Sequence, residues 1–185
     1  MATTTANPVS PITWKLDPAH SSAEFKIKHM MISNVKGQFT GVKGALTLDA
    51  ENLLNSKVEA TIDSASINTG DAQRDAHLKS ADFFDVEKFP TLSFKSRGVS
   101  GSGQGELVVN GDLTIHGVTR GVTFAVDGPT APAKDPWGNT RLGLSATTKI
   151  NRKDFGLTWN AALETGGILV GDEVTITLEV QFVKA

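Results

Sequence analysis

The sequence predicts an all-β domain, in which about eight or nine short antiparallel strands and one short helical insertion form a barrel or a sandwich. Three observations lead to this fold class. Apolar and polar residues alternate in segment after segment, turn residues separate these segments at short intervals, and one segment has the composition of a helix instead.

The alternation places the apolar side chains on one face of each strand. It is clearest near the end of the chain, where polar residues alternate with Val174, Ile176, Leu178, Val180 and Phe182. The same pattern of period two occurs in residues 22–29, 42–49, 56–63, 92–94, 113–115, 122–126 and 142–144. Strands with a single apolar face are typical of an antiparallel sheet, because the strands of a parallel sheet are buried on both faces.

Glycine-containing clusters separate the strand segments. Hairpins are expected to reverse at residues 110–112, 117–121, 127–129 and 137–139. The glycine-rich residues 98–105 predict a flexible loop. Its glycines do not satisfy the GxGxxG pattern of nucleotide-binding loops, because Glu106 occupies the last position of that pattern.

One segment, residues 69–85, breaks the alternation. Thr69 and Asp71 are suitable N-cap residues, and good helix formers follow them. We therefore expect a short helix near residues 71–79 and a second turn around residues 81–85. Both elements would be an insertion in a chain that is otherwise all β.

Composition excludes several classes of site. The chain has 185 residues, a formal net charge of −2 and no cysteine. This charge predicts no strong attraction to nucleic acid or to an anionic membrane surface. Without cysteine there is no disulfide framework and no cysteine nucleophile. No apolar segment is long enough to span a membrane, so an integral membrane protein is not expected.

The start of the chain differs from the rest. Residues 1–11 have neither a basic start nor an apolar run, so we expect a disordered tail rather than a secretory signal. Residues 12–185 would form a single domain. The expected location is cytoplasmic if Met1 is the native start, and periplasmic or secreted if a signal peptide has been removed.

Several separated sequence blocks stand in a recognisable order. They are WKLDPAH at residues 14–20, RDAHLKSADFFDVEKFPTLSF at 74–94, GDLTIHGVTRGVTF at 111–124, INRKDFGLTW at 150–159 and GDEVTITLEVQ at 171–181. In this order they resemble the YceI-like family of polyisoprenoid-binding proteins, and the resemblance covers residues 12–184. It implies an extended, lipocalin-like barrel of eight antiparallel strands. The barrel interior would bind, store or transport a long isoprenoid lipid, such as a prenyl pyrophosphate or an isoprenoid quinone.

On that interpretation the apolar strand faces and the insertion form the wall of a cavity. We expect ligand contacts from Phe25, Ile27, Leu46, Leu48, Ile62, Phe83, Phe84, Phe94, Ile115, Phe124, Leu144, Trp159, Ile176, Leu178 and Val180. From the alternation alone, the same residues would equally well pack a closed core. Phe83 and Phe84, with Phe89, either cover the cavity or attach the helix to the barrel.

Polar residues for a lipid head group come from the insertion and from the segment that follows residue 150. The candidates are Arg74, His77, Lys79, Arg152 and Asn160. Arg74 and His77 share one helix face, whereas Lys79 points elsewhere. A pyrophosphate would favour arginine, because a guanidinium group binds phosphate oxygens in a bidentate manner.

Both arginines also have an ordinary structural explanation. Asp71 and Asp75 flank Arg74 at helical pair spacing, which favours a local ion pair. Arg152 and Asp154 could pair across a bulge. These alternatives compete with the head-group interpretation.

The four histidines, His20, His29, His77 and His116, form no HxH, HExxH or i, i+4 pair, so neither a metal site nor a cofactor is expected. A GxSxG motif is also missing from the sequence. We therefore predict a binding protein. Two alternatives remain open: an enzyme acting on a hydrophobic substrate through His77 or His116, and a structural or stress-related barrel with a protein partner. Its edge strands or Phe83 and Phe84 could then mediate a homodimer.

Overall fold

The computed structural model describes residues 10–102 and 105–185. The predicted tail therefore lies outside the described residues, except for its last two positions. The strands are β1 Ile12–Leu16, β2 Ser22–His29, β3 Ser33–Phe39, β4 Val42–Leu48, β5 Lys57–Asp63, β6 Ile67–Asn68, β7 Thr91–Gly101, β8 Glu106–Ile115, β9 Val118–Asp127, β10 Ala133–Lys134, β11 Thr140–Asn151 and β12 Val170–Lys184. One α-helix, α1, spans Ala72–Lys79, and short 3-10 turns lie at Pro18–His20, Leu53–Asn55, Ser64–Ser66 and Arg152–Phe155.

Eight of the strands close a ring. In the order β11, β9, β8, β7, β5, β4, β1 and β12, each strand pairs with its neighbours, and β12 returns to β11. All of these pairings are antiparallel. The predicted eight-stranded antiparallel barrel is therefore confirmed.

The longest strand, β12, has two partners on its second side. Near its end, Lys184 pairs with Trp14 of β1. Nearer its start, Glu179 pairs with Ser22 and Val170 pairs with His29, both in β2. β3 pairs with β2, and β6 with β3, so these strands extend the barrel wall at one end.

We call this the α1 end, because it holds α1, the turn between β2 and β3, and residues 157–169. The opposite end, which holds β10 and the start of β11, is called the β10 end.

The helical insertion forms as the sequence predicts. The Asp71 side chain caps α1 by accepting a hydrogen bond from the backbone N–H of Arg74 at 2.8 Å. After Lys79 the chain continues in tight turns, in which the N–H groups of Phe83 and Asp85 both donate to the Ser80 carbonyl. The predicted helix and second turn are confirmed.

One predicted turn is wrong, because residues 110–112 lie inside β8. The loop predicted at residues 98–105 begins later than expected, because residues 98–101 belong to β7. Residues 103 and 104 lie outside the described residues. Gly111 serves close packing instead of chain reversal, because a side chain there would collide with the Phe94 ring.

The turn predicted at residues 117–121 is shorter than expected. Ile115 pairs with Val118, so only His116 and Gly117 form the reversal between β8 and β9. Both have positive φ angles, 54° and 71°, as a two-residue hairpin turn requires.

Candidate functional site: an apolar cavity inside the barrel

The barrel is hollow. It encloses a cavity of about 400 Å³ that is lined by side chains from every strand of the closed ring. This volume lies within the range of roughly 300–1,000 Å³ that is usual for small-molecule sites. The alternation alone left open whether the apolar faces fill the interior, and the structure shows that they do not.

The pairing register of the strands determines which side chains meet on the cavity wall. Along β12, Ile176 lies opposite Phe25 of β2, and Val180 lies opposite Leu144 of β11. Leu178 lies between Ala23 and Ala146, two small residues that leave space in the interior. Ile176 and Leu178 are only half-buried although they face into a closed barrel, because part of their surface borders the cavity.

All fifteen apolar residues proposed from the sequence as ligand contacts lie on the cavity wall. Their role in ligand binding stays a prediction. Sequence reasoning missed other wall residues, among them Leu107 and Val109 of β8, because residues 110–112 were interpreted as a turn. The alternation of Leu107, Val109, Gly111, Leu113 and Ile115 was the signal that could have revealed them.

Aromatic rings contribute much of the wall. Phe94 and Phe124 meet edge to face with ring centroids 5.2 Å apart, and Phe25 and Phe39 are 5.9 Å apart. Phe84, which follows α1, meets Phe39 edge to face at 5.7 Å. These contacts attach the insertion to the barrel, and the Phe84 ring also borders the cavity; that it covers the cavity stays a prediction.

A packed hydrophobic cluster lies toward the β10 end of the barrel. Trp14, Leu142 and Phe182 are at most 3% exposed and pack with Leu46 and Leu48. All five belong to one hydrophobic cluster, which includes wall residues of the cavity.

A network of ion pairs lies outside this cluster. Arg141 contacts Asp17 at 2.5 Å and Asp135 at 2.7 Å, which joins the segment after β1 to the β10–β11 connection. The Arg141 guanidinium, together with His20, lowers the pKa of Asp17 from 3.8 to about 2. Arg141 and Asn139 likewise hold the pKa of Asp135 well below its usual range.

The α1 end is more polar. Arg74 and His77 both line the cavity and are accessible to solvent, as expected for residues on one helix face. The Arg74 Nε donates to Thr69 Oγ1 at 2.7 Å, and Nη2 donates to the Thr69 carbonyl at 3.0 Å. The ion pair expected with Asp71 or Asp75 is not formed: Asp71 caps the helix, and Asp75 accepts from Thr69.

His77 stands in an aromatic group at the same end. Its ring meets Trp159 edge to face at 4.7 Å and Phe83 at 5.1 Å, and its Nε2 lies 2.9 Å from Asp82 Oδ2. Trp159 and Phe83 are themselves 5.3 Å apart. Phe83 is only 8% exposed, so it does not provide the exposed dimerisation surface that the sequence allowed.

Arg152 has a structural role, which the sequence offered as an alternative, but its partners differ from the expected one. It is 3% exposed, and its guanidinium donates to the carbonyls of Gly171, Leu157 and Trp159 at 2.7–2.9 Å. Its carboxylate neighbour is Asp172 at 3.8 Å, so the expected pairing with Asp154 is wrong. Burial lowers the pKa of Arg152, and the charge of Asp172 acts against this shift. With its donors directed at carbonyls, Arg152 holds the 157–171 segment and is poorly suited to receive a head group.

The last two head-group candidates lie away from the cavity wall. The Asn160 amide bonds to both the N–H and the carbonyl of Val170, at 3.0 and 2.8 Å, and so fixes the start of β12. Lys79, at the end of α1, does not border the cavity, which agrees with the expectation that it points away from Arg74 and His77.

The histidines do not come together. His116 lies against Phe89, with ring centroids 4.8 Å apart, while His77 contacts Trp159. His20 is paired with Asp17, and His29 borders the cavity. Within residues 10–102 and 105–185, no group of three or more His, Asp or Glu side chains is arranged to hold a metal ion.

Comparison with known proteins decides the family. The model of the YceI-like domain matches residues 14–182. The chain belongs to the YceI-like family. A UPF0312 protein of Staphylococcus aureus strain MSSA476 is 41% identical over 167 residues, which cover 90% of this chain and 94% of that protein.

Solved structures share the YceI-like fold. BcnA of Burkholderia cenocepacia superposes with a TM-score of 0.76 at 25% identity, covering 90% of this chain and 98% of BcnA. The YCEI protein of Campylobacter jejuni gives a TM-score of 0.73 at 30% identity, covering 86% and 91%. A polyisoprenoid binding domain from Saccharophagus degradans gives 0.67 at 17% identity, covering 94% and 99%, which shows a shared fold. In the part of the chain that is described, no helix has the length and apolar character needed to cross a membrane.

Proposed function

We propose that this YceI-like barrel binds a long isoprenoid lipid in its cavity, for storage or transport. The observation that carries the proposal is the apolar lining along β12, to which Val174, Ile176, Leu178, Val180 and Phe182 contribute alternate side chains. Such a wall excludes water and makes no directional demands, which suits a repetitive hydrocarbon chain.

The length of the lining supports an extended chain. Val174 and Phe182 are eight residue steps apart in unbroken pairing with β11, which corresponds to about 26 Å along a strand at 3.3 Å per residue. With the strand tilt usual in barrels, the axial length is about 20 Å. This length and the cavity volume of about 400 Å³ suit a chain of a few isoprene units.

The width of the cavity supports a single chain. An eight-stranded barrel is just wide enough to hold one slender ligand. Each buried methylene contributes roughly 0.8 kcal/mol, so a chain of many carbons gains enough to offset its ordering. The polyisoprenoid binding domain from Saccharophagus degradans, which has the same fold, is consistent with this ligand class.

We place the head group at the α1 end. Arg74 and His77 combine solvent access with a position on the cavity wall, whereas Trp14 and Phe182 at the β10 end are buried in a hydrophobic cluster. Thr69 holds the Arg74 guanidinium in place, which favours a phosphate or a carbonyl oxygen as its partner. A prenyl pyrophosphate and an isoprenoid quinone both satisfy this arrangement.

The test is extraction and mass spectrometry of protein that is purified without detergent from a quinone-producing host, followed by titration with prenyl lipids. We expect a prenyl lipid in the extract and saturable binding of added polyprenyl pyrophosphate or quinone. Arg74→Met should weaken binding of the pyrophosphate by roughly tenfold, the effect of losing one charge-assisted contact, and should weaken quinone binding less, because a neutral carbonyl oxygen is a weaker acceptor than a phosphate oxygen. Empty protein that binds neither lipid would refute the proposal.

We propose binding in preference to catalysis. His77, which lines the cavity, pairs with Asp82 where both side chains are partly exposed to solvent, and His116 lies elsewhere. An acid–base mechanism would need a second group within hydrogen-bond reach of the reacting atom. Chemical change in a bound prenyl lipid that is lost in His77→Ala would instead assign an enzyme.

A further inference from the structure

The turn between β2 and β3 exposes three consecutive large apolar side chains. Met30, Met31 and Ile32 are 39%, 62% and 78% exposed, and we call them the apolar tip. Single exposed apolar side chains are normal, but a contiguous exposed group indicates an interaction surface.

The backbone of the apolar tip is also unusual. Met30 and Met31 have φ angles of 53° and 58°, in the left-handed region where glycine and asparagine are favoured. Bulky side chains are unfavourable there, and these two are not buried, so packing does not compensate the strain. Both the left-handed backbone and the contact of apolar side chains with water are unfavourable for the folded state. Residues with both properties indicate a role other than folding.

The apolar tip adjoins the α1 end of the cavity. The Met30 N–H donates to the Leu169 carbonyl at 2.7 Å, and Leu169 lines the cavity. The neighbouring Ile168 is 36% exposed and adds to the apolar surface. His29, which directly precedes the tip, also lines the cavity. A surface bound by the tip would therefore face the end of the barrel at which we place the lipid head group.

Lysines stand beside the tip. Lys26, Lys28 and Lys36 are exposed, and Lys26 lies directly opposite Lys36 in the β2–β3 ladder, where like charges are unfavourable. In the described part of the chain, none of the three takes part in an ion pair. Residues 22–39 carry three lysines and one glutamate, a net charge of +2, in a chain whose net charge is −2. This hairpin is thus complementary to an anionic surface.

We propose that the apolar tip and these lysines dock the α1 end of the barrel on an anionic lipid bilayer. Exposed methionine and isoleucine side chains insert between head groups, and lysines are attracted to anionic lipids close to the surface. The overall charge of −2 does not oppose docking, because salt at about 0.1 M screens electrostatic interactions beyond about 10 Å. Charges on distant parts of the chain therefore have little effect at the membrane surface. A role of docking in lipid transfer rests on the proposed function. Docking itself is independent of that function.

The test is co-sedimentation of the full chain with vesicles of equal parts phosphatidylglycerol and phosphatidylcholine, and with vesicles of phosphatidylcholine alone. We expect binding to the anionic vesicles only. The double variant Met31→Ser/Ile32→Ser should reduce the vesicle-bound fraction by about tenfold or more. Lys28→Gln/Lys36→Gln should weaken binding mainly at low salt. The matched control is Trp137→Ser, which removes an 80% exposed apolar side chain at the β10 end and should bind as the wild type does.

Several outcomes would overturn docking: wild-type protein that binds neither vesicle, a double variant that binds normally, or an equal loss in Trp137→Ser. Wild-type dimers that the double variant converts to monomers, without vesicle binding, would assign the tip to a second copy of this chain instead. A second measurement, binding of detergent-dispersed prenyl lipid, separates the two proposals. A double variant that still binds this lipid has an intact cavity. A wild-type protein that binds vesicles but not this lipid would refute only the proposed function.

Discussion

Phe25 of β2 lies directly opposite Gly37 of β3, and its ring occupies the space that a side chain at position 37 would need. A Cβ atom there would collide with the ring and come within 2.9 Å of the Thr69 methyl group. The glycine therefore lets the Phe25 ring lie over position 37 while it lines the cavity.

Gly37→Ala should push the Phe25 ring into the cavity. We expect a loss of about 1–3 kcal/mol in the free energy of unfolding from overpacking, together with weaker binding of long prenyl lipids. Urea titration and lipid titration measure the two effects. Gly98→Ala is the control, because a Cβ at Gly98 would meet no atom within 4 Å. Unchanged lipid affinity in a folded Gly37→Ala variant would contradict this account of the wall.

Ile176→Arg should abolish lipid binding, because it places a charge in the middle of the apolar wall. A guanidinium without a partner is unfavourable there, and we expect at least a hundredfold loss of affinity, equivalent to about 3 kcal/mol. Thr177→Arg is the control, since Thr177 lies opposite Glu24 on the outer face of the barrel. A folded Ile176→Arg protein with wild-type affinity would rule out the cavity as the binding site.

Arg152→Met should destabilise the protein strongly. It leaves the carbonyls of Gly171, Leu157 and Trp159 without their buried donor, and we expect a loss of about 3–5 kcal/mol in the free energy of unfolding. Lys153→Met, which breaks only the half-exposed pair with Asp172 at 3.2 Å, should cost less than about 1 kcal/mol. Equal effects of the two substitutions in urea denaturation would show that Arg152 does not hold this segment.

Because of the ion pairs of Arg141, the stability of the folded protein should vary with pH in the acid range. The pKa of Asp17 is about 2 in the folded protein and 3.8 ordinarily, so the unfolded chain binds the proton more tightly. The stabilising contribution is therefore complete above pH 3.8 and is lost as the pH falls through about 2. Arg141→Met should melt at a lower temperature than the wild type at neutral pH, and this difference should shrink over that acid range. A difference that is constant with pH would show that the pairs do not shift the pKa of Asp17.

Strand β12 and helix α1 show what local sequence patterns can predict. The alternation of Val174, Ile176, Leu178 and Val180 fixed which side of β12 faces inward, because successive side chains in a strand point to opposite faces. Asp71 likewise marked the start of α1, because its carboxylate satisfies an N–H group at the helix start. Such signals depend only on neighbouring residues, and together with the ordered blocks of the family they predicted the barrel.

Other features required the folded chain. Gly111 looks like a turn residue in the sequence, yet its role is set by Phe94 on another strand. Arg152 has a carboxylate two positions away at Asp154, but its partners are carbonyls up to nineteen residues distant.

The amino-acid order by itself thus determined the fold class, the short helix and the inward-facing set of side chains. Only the tertiary structure decided that the barrel is hollow, that Arg74 and His77 rather than Asn160 border its interior, and that the apolar tip lies at the same end. The physical reason is that periodicity specifies the direction of a side chain, whereas an empty volume depends on the register and shape of strands that are distant in the chain.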